Sequence, residues 1–406
     1  MRLLPHRRPA GMQWLARKPC VALLALAVTA LLSACASPPV APPPPAPTTL
    51  LADALFAPAP ATFDPQSLFA LDDSMQAYLR QRLPTLRPGS DSRRALVEAL
   101  FDQSQLKLRY DGGQTRTASQ AFAARAGNCL SLVIMTAAFA KHLDLPVGYR
   151  SVTLPDTYSR SGALTLASRH VNLSLGPPPD RATFSPDSGT WLTVDFLPQE
   201  DLGRQRVTPL TEATIVAMYL NNRAAEALAD GHIDQAYAWA RHAVLQDPHF
   251  TAAVNTLAVV YQRAGHTPQA EAALRHVLAA EPEHTAALSN LAGLLLRSGR
   301  HAEAAAVAET LARLQPVPPF HHFNLGLKAM AAGDFALARQ LFDEELRRQP
   351  YQDEVHFWLA QAHWRLGHAD QARQHLQLAA THSTTDTSHG RYTAKLAGLR
   401  SAAQAH

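Results

Sequence analysis

The sequence predicts an α+β domain followed by an all-α solenoid. Two observations carry that reading. Pro, Gly and Ala recur at a fixed interval of 34 residues through the C-terminal half, and ahead of them helical patterns come first and strand-like patterns later. A third feature, a basic then apolar N-terminus that ends at a cysteine, sets off a leader. The expected order is a leader over 1–34, a Pro-rich tether over 35–70, the α+β domain over 71–212, five helical repeats over 213–386 and a capping helix or tail over 387–406.

The leader begins with Arg2, Arg7, Arg8, Arg17 and Lys18, with no Asp or Glu ahead of Cys35. Val21 to Leu32 form an apolar run too short to span a bilayer, followed by Leu32-Ser33-Ala34-Cys35. This resembles the bacterial lipobox, which implies cleavage before Cys35 and lipidation of Cys35. Ala36, where an Asp would retain the product at the inner membrane, implies an outer-membrane lipoprotein facing the periplasm. The membrane is then a partner through the lipid. Without the leader, 32 basic side chains face 33 acidic ones, so the formal charge of +4 belongs to the leader and no nucleic-acid partner is expected. Of three cysteines, Cys20 leaves with the leader and Cys35 is the anchor, so Cys129 remains as a lone thiol. The run Ser37 to Pro47 favours extended polyproline conformation and reads as a stiff spacer.

In the α+β region, Arg93 to Gln103 is amphipathic. Thr117 and Gln120 form a capping-box pair at the start of a short helix that Gly127 ends. Leu130 to Leu143 is a nearly all-apolar helix, too short for a membrane and so buried, and Pro146 stops it. Strands follow over Val147–Leu154, His170–Leu175 and Trp191–Phe196.

The repeats are marked by Pro248, Pro282, Pro316 and Pro350, by Gly231, Gly265, Gly299, Gly333 and Gly367, and by Ala236, Ala270, Ala304, Ala338 and Ala372, all in one 34-residue register. Each Gly ends a first helix where φ turns positive, each Ala lets the second helix approach, and each Pro breaks the chain before the next pair. The pattern resembles the tetratricopeptide repeat. The resemblance implies that first helices line a concave face, with Phe320, Phe323, Leu327, Met330, Phe357 and Trp364 forming an apolar groove for a protein or peptide ligand. The alternative is that this stripe packs on the chain's own first domain or C-terminal helix.

Cys129 opens the buried helix, where unpaired backbone N–H groups and the helix dipole favour a thiolate. A nucleophilic cysteine needs a base, and His142 lies thirteen residues along the same helix, about 20 Å away at 1.5 Å per residue. His170 and Asn172 instead share one strand face, and Asp195 stands opposite Leu192, Val194 and Phe196, free to orient His170.

Gly127-Asn128-Cys129, Leu145-Pro146-Val147-Gly148-Tyr149-Arg150, Arg169-His170-Val171-Asn172 and Trp191-Leu192-Thr193-Val194-Asp195-Phe196 resemble the bacterial transglutaminase-like core over about 115 to 200. The resemblance implies a papain-like fold and a thiol-dependent amidase, peptidase or transamidase, with Cys129 as nucleophile, His170 as base and Asp195 as orienting group. It departs from the family at Asn172, where many members carry an aromatic residue. A non-catalytic scaffold, with the repeats as the working part, is the alternative. Neither a glycine-rich phosphate loop nor zinc-spaced Cys/His is present, so no cofactor and no metal is expected.

Overall fold

The computed structural model describes residues 46–58, 63–83, 91–101, 106, 108–153, 158–161, 164–167, 170–177, 191–196 and 206–404. The leader, Cys35 and the run to Pro45 lie outside the described residues. No helix among the described residues is long and apolar enough to cross a membrane.

The first region opens with α1 (Asp73–Arg82), capped by Asp72, and α2 (Ser92–Phe101). The short strand β1 (Arg109–Tyr110) pairs in parallel with β2 (Ala126–Gly127), and between them lies α3 (Ala118–Ala124). The capping box at Thr117 and Gln120 is present in both directions. Arg125, not Gly127, ends α3, taking the left-handed conformation at φ 49°. Gly127 is needed for space instead, since a Cβ there would stand 2.7 Å from the Ser131 Cβ. The helix α4 (Cys129–His142) follows at once, with Leu130 to Ala140 buried on every side. A helix apolar all round has no solvent face to offer, so it becomes the core element on which the domain is built.

Around it stands a four-stranded antiparallel sheet in the order β7-β6-β3-β8, made of β3 (Val147–Thr153), β6 (His170–Leu175), β7 (Leu192–Val194) and β8 (Arg206–Leu210). A separate hairpin joins β4 (Tyr158–Ser161) to β5 (Leu164–Ala167). Sequence patterning misses this hairpin and β8. Pro209 within β8 argues against a strand, yet is admitted because β8 is an edge.

Five antiparallel helix pairs follow. They are α5 (Glu212–Ala229) with α6 (Ile233–Gln246), α7 (Thr251–Arg263) with α8 (Thr267–Ala280), α9 (Thr285–Arg297) with α10 (His301–Leu314), α11 (His321–Ala332) with α12 (Phe335–Arg348), and α13 (Asp353–Arg365) with α14 (Ala369–His382). The five periodic glycines take φ between +75° and +84°, which a Cβ would strain. The five periodic alanines are buried between paired helices. The helix α15 (Asp386–Gln404) packs on α14 and closes the array.

The polyproline run, save its last two residues, lies outside the described residues. In the rest of the tether segment Pro47–Leu50, Asp53–Leu55 and Pro65–Phe69 form short 3-10 helices, and Asp53, Phe56 and Leu68 find partners on the folded chain.

Candidate active site

Register brings His170, Asn172 and Asp195 to one place. In β6, His170 and Asn172 are two residues apart and share a face. The β6–β7 pairing sets Leu173 opposite Val194, which brings Asp195 level with Asn172 and diagonal to His170. Both contacts are made. His170 Nε2 meets Asp195 Oδ1 at 2.6 Å, and Asn172 Nδ2 donates to Asp195 Oδ2 at 3.0 Å. The next rung, Ser174 against Thr193 at 3.2 Å, continues the polar ladder.

Cys129 lies beside the same imidazole, close enough that its side chain acts on the ring's pKa. With Nε2 committed to Asp195, Nδ1 is the nitrogen left for the thiol. Burial is the largest influence on His170 and pushes its pKa down, but the Asp195 hydrogen bond, the Cys129 hydrogen bond and the charges of both outweigh it. The result is raised to about 9, so the ring is cationic at neutral pH. An imidazolium between a carboxylate and a half-buried free cysteine is an arrangement for thiol nucleophilic chemistry.

The cysteine's own position rests on Asn128. Its Oδ1 accepts from the Ser131 N–H at 2.9 Å and from Ser131 Oγ at 2.8 Å, capping α4. Its Nδ2 donates to Thr115 Oγ1 at 2.9 Å. Thr115 also receives Asn222 Nδ2 at 3.3 Å, and its N–H donates to Glu226 Oε1 at 2.7 Å, both partners being on α5. A chain of polar contacts therefore runs from the cap of the Cys129 helix into the first repeat. The last repeat reaches the same loop, since the Gly112 N–H donates to Thr384 O at 2.6 Å and Arg109 pairs with Asp386 at 2.7 Å.

Sequence reasoning missed Thr115, the Asn172 contact and Tyr110, a half-exposed ring opposite Gly127 and beside Cys129. Asn172 was legible as a face-mate of His170, whereas Thr115 carries no periodic signal.

The six groove candidates do not form one surface. Phe320 and Phe323 are buried, Phe323 against Phe342 of α12 in the repeat's own core. Phe357 lies against Tyr392 and Arg391 of α15, which is the alternative packing named above. Leu327 and Met330 pack at the edge of the Phe323 cluster, and Trp364 is exposed. A stripe at spacings of three and four fits a helix's core face as well as a groove, and core packing wins where a partner helix is present.

Two family models described as tetratricopeptide repeat match the chain, over residues 255–317 and 329–391. The C-terminal region is a tetratricopeptide-repeat solenoid. Solved structures that it resembles include Pseudomonas aeruginosa pilF, at 23% identity over 47% of this chain and 87% of that one, with a TM-score of 0.28. A thermophilic tetratricopeptide-repeat protein of Thermus thermophilus follows at 18% identity over 45% and 98%, TM-score 0.29. MamA aligns at 16% identity over 39% and 93%, TM-score 0.22. Scores at this level say nothing about function. No curated protein matches the chain. Tetratricopeptide repeats generally mediate protein binding, and the array is of that class.

Proposed function

We propose that the first region is a transglutaminase-like, papain-like thiol acyl-transfer site carried beside a protein-binding repeat array. The observation that carries this reading is the His170–Asp195 pair at 2.6 Å, with Cys129 close enough to the ring to raise its pKa. Cys129 Sγ attacks a carboxamide or peptide carbonyl carbon, and the Cys129 backbone N–H at the start of α4 donates to the oxyanion. His170 gives its proton to the leaving nitrogen, the C–N bond breaks and a thioester remains. Water or an amine then surrenders a proton to His170 and attacks the thioester carbonyl, the C–S bond breaks and Cys129 leaves as the thiolate. Water completes an amidase or peptidase cycle, and an amine completes transamidation. Asp195 holds the ring's tautomer and balances its charge throughout.

The test is alkylation of Cys129 by iodoacetamide. An imidazolium–thiolate pair predicts labelling at pH 6 far faster than a free thiol, nearly flat to pH 8, and absent in Cys129→Ala. Sluggish labelling that climbs about tenfold per pH unit would instead favour a non-catalytic scaffold.

Cys35 is proposed as the lipidated mature N-terminus, placing the protein on the periplasmic side of a bacterial envelope, in the outer membrane. The order of charge, apolar run and Leu32-Ser33-Ala34-Cys35 supports this. Cys35→Ser should leave an unprocessed precursor or a soluble form, and unchanged mass and membrane fractionation would refute it.

A further inference from the structure

The chain's own segment around Leu50 to Ala57 lies in a slot on the first two repeats, and its contacts separate into two kinds. One kind reads backbone. Tyr261 Oη donates to Leu50 O at 2.7 Å, and the Ala52 N–H donates to both Tyr261 Oη at 3.0 Å and Tyr237 Oη at 2.9 Å. Beyond them, the Ala57 N–H donates to Asp234 Oδ1 at 3.0 Å. None of these depends on side-chain identity in the segment. The other kind reads two side chains three residues apart. Asp53 Oδ1 accepts from Arg241 Nε at 2.8 Å and from Tyr237 Oη at 2.7 Å. The Arg241 hydrogen bond, followed by that of Tyr237, holds the Asp53 carboxyl below its usual range. Phe56 stacks on Tyr237 with centroids 3.9 Å apart and planes 7° apart, its edge region closed by His266 at 5.6 Å.

This is how a peptide-recognition site is built: main-chain hydrogen bonds hold the strand, and a few pockets select its sequence. Asp234, Tyr237 and Arg241 stand on α6 and Tyr261 on α7, while Pro47–Leu50 packs on α6 and α8, so the slot is made by the first two repeats and is separate from the groove candidates of the fourth and fifth. With the segment in place both tyrosine rings are almost wholly buried, Phe56 covering one face of Tyr237.

We propose that repeats one and two carry a docking site for protein segments with an acidic residue followed three positions later by an aromatic one. Leu50 to Ala57 is its occupant at rest, and the same motif on a partner protein takes the site by displacing it. Because the resting occupant is covalently attached, it competes at an effective concentration of order millimolar. A partner must therefore present the motif at high local concentration or several times over. The inference rests on the repeats as a protein-binding module and stands apart from the acyl-transfer reading.

The test uses the full chain and a fluorescein-labelled peptide of residues 48–58, read by anisotropy. Asp53→Ala/Phe56→Ala weakens the resting occupant and should bind the peptide at least tenfold more tightly than the unaltered chain does. A scrambled peptide should not bind, and adding Arg241→Ala should cost about tenfold, the loss of one charge-assisted contact. Equal binding by the unaltered and double-variant chains, or equal binding of the scrambled peptide, would overturn the proposal. Should the double variant fold poorly, hydrogen exchange on the unaltered chain decides. Millimolar peptide must accelerate exchange of the Ala52 amide at least tenfold, and an unchanged rate overturns the proposal. Cys129 alkylation is unaffected in either case, which separates this outcome from that of the active site.

Discussion

Two regions of this molecule bury histidine, and they treat it in opposite ways. In the first domain His170 is raised to about 9 against the pull of burial. In the last repeat His356, His363, His375 and His382 are all lowered, burial being the largest cause in each, and His375 falls to about 4. Burial disfavours the cation in both places, so the neighbours decide the sign. His170 has a carboxylate at 2.6 Å. The repeat histidines have mainly one another. His356 and His375 bring their Nδ1 atoms to 3.1 Å, the His363 and His375 rings stack 5.5 Å apart, and His356 stacks on His382. His356 Nε2 donates to Pro350 O at 2.9 Å, which fixes its neutral tautomer. Asp343 beside His363 and Asp353 beside His382 act in the raising direction but do not reverse either. A carboxylate in hydrogen-bond contact, with a thiol beside it, outweighs burial, and a carboxylate at a distance does not.

Removing that carboxylate is the severest way to break the contrast. Asp195→Asn removes the largest raising influence and should lower the His170 pKa well below about 9, toward the behaviour of the last repeat. Labelling of Cys129 at pH 6 should then fall by about a hundredfold or more, in line with triads that lose their carboxylate. NMR titration of the His170 ring and alkylation kinetics measure the two effects separately.

Acid should act on the two regions with opposite sign. The lowered repeat histidines contribute stability that is full above the unfolded value of about 6.5 and lost as pH falls through their folded values. For His375, from 6.5 to about 4, the loss is at most about 3 kcal/mol and is reduced below that by solvent screening of a partly exposed ring. The raised His170 contributes stability that is full below about 6.5 and is lost as pH rises through about 9. Hydrogen exchange at pH 5 should therefore show α13 and α14 opening before α7 and α8, with α4 and β6 unchanged. In His375→Phe the acid sensitivity should shrink.

Smaller effects sharpen the picture within the site. Asn172→Leu leaves the His170–Asp195 contact but removes one buried donor to Asp195 Oδ2, so labelling of Cys129 should slow by about tenfold while the His170 pKa stays above the free value. Thr115→Val removes the acceptor shared by Asn128 and Asn222 and should cost about 1 to 2 kcal/mol in urea unfolding, with the least effect on chemistry.

What could be read from the sequence was what is local or periodic. The glycine, alanine and proline registers announce the repeats because each residue answers a backbone demand within its own turn, as the positive φ at Gly231 and its four equivalents shows. His170 and Asp195 were legible because alternation along a strand fixes faces before any partner is known. Their meeting needed the Leu173–Val194 register, which no single strand contains. The groove candidates fared worse because Phe323 and Trp364 obey the same helical spacing, yet one is buried and the other exposed. Thr115 and the docked Asp53 and Phe56 were invisible for a further reason. Their partners on the repeats lie more than a hundred residues away, and nothing in their own neighbourhoods repeats.

The contact between Gly112 and Thr384 bears on how the array comes apart. A linear solenoid unfolds from its ends, because a terminal repeat has one neighbour and its loss leaves the others intact. Here the last turn of the array is hydrogen-bonded to the loop that Thr115 ties to α5, and Arg109 and Asp386, 277 residues apart, meet across the same junction. Fraying of the fifth repeat must open a contact that spans most of the chain, and reforming it must first close that loop. Such a chain trades stepwise fraying for a more cooperative transition, and its slow step on refolding is expected to be the docking of the two ends rather than the formation of any helix pair.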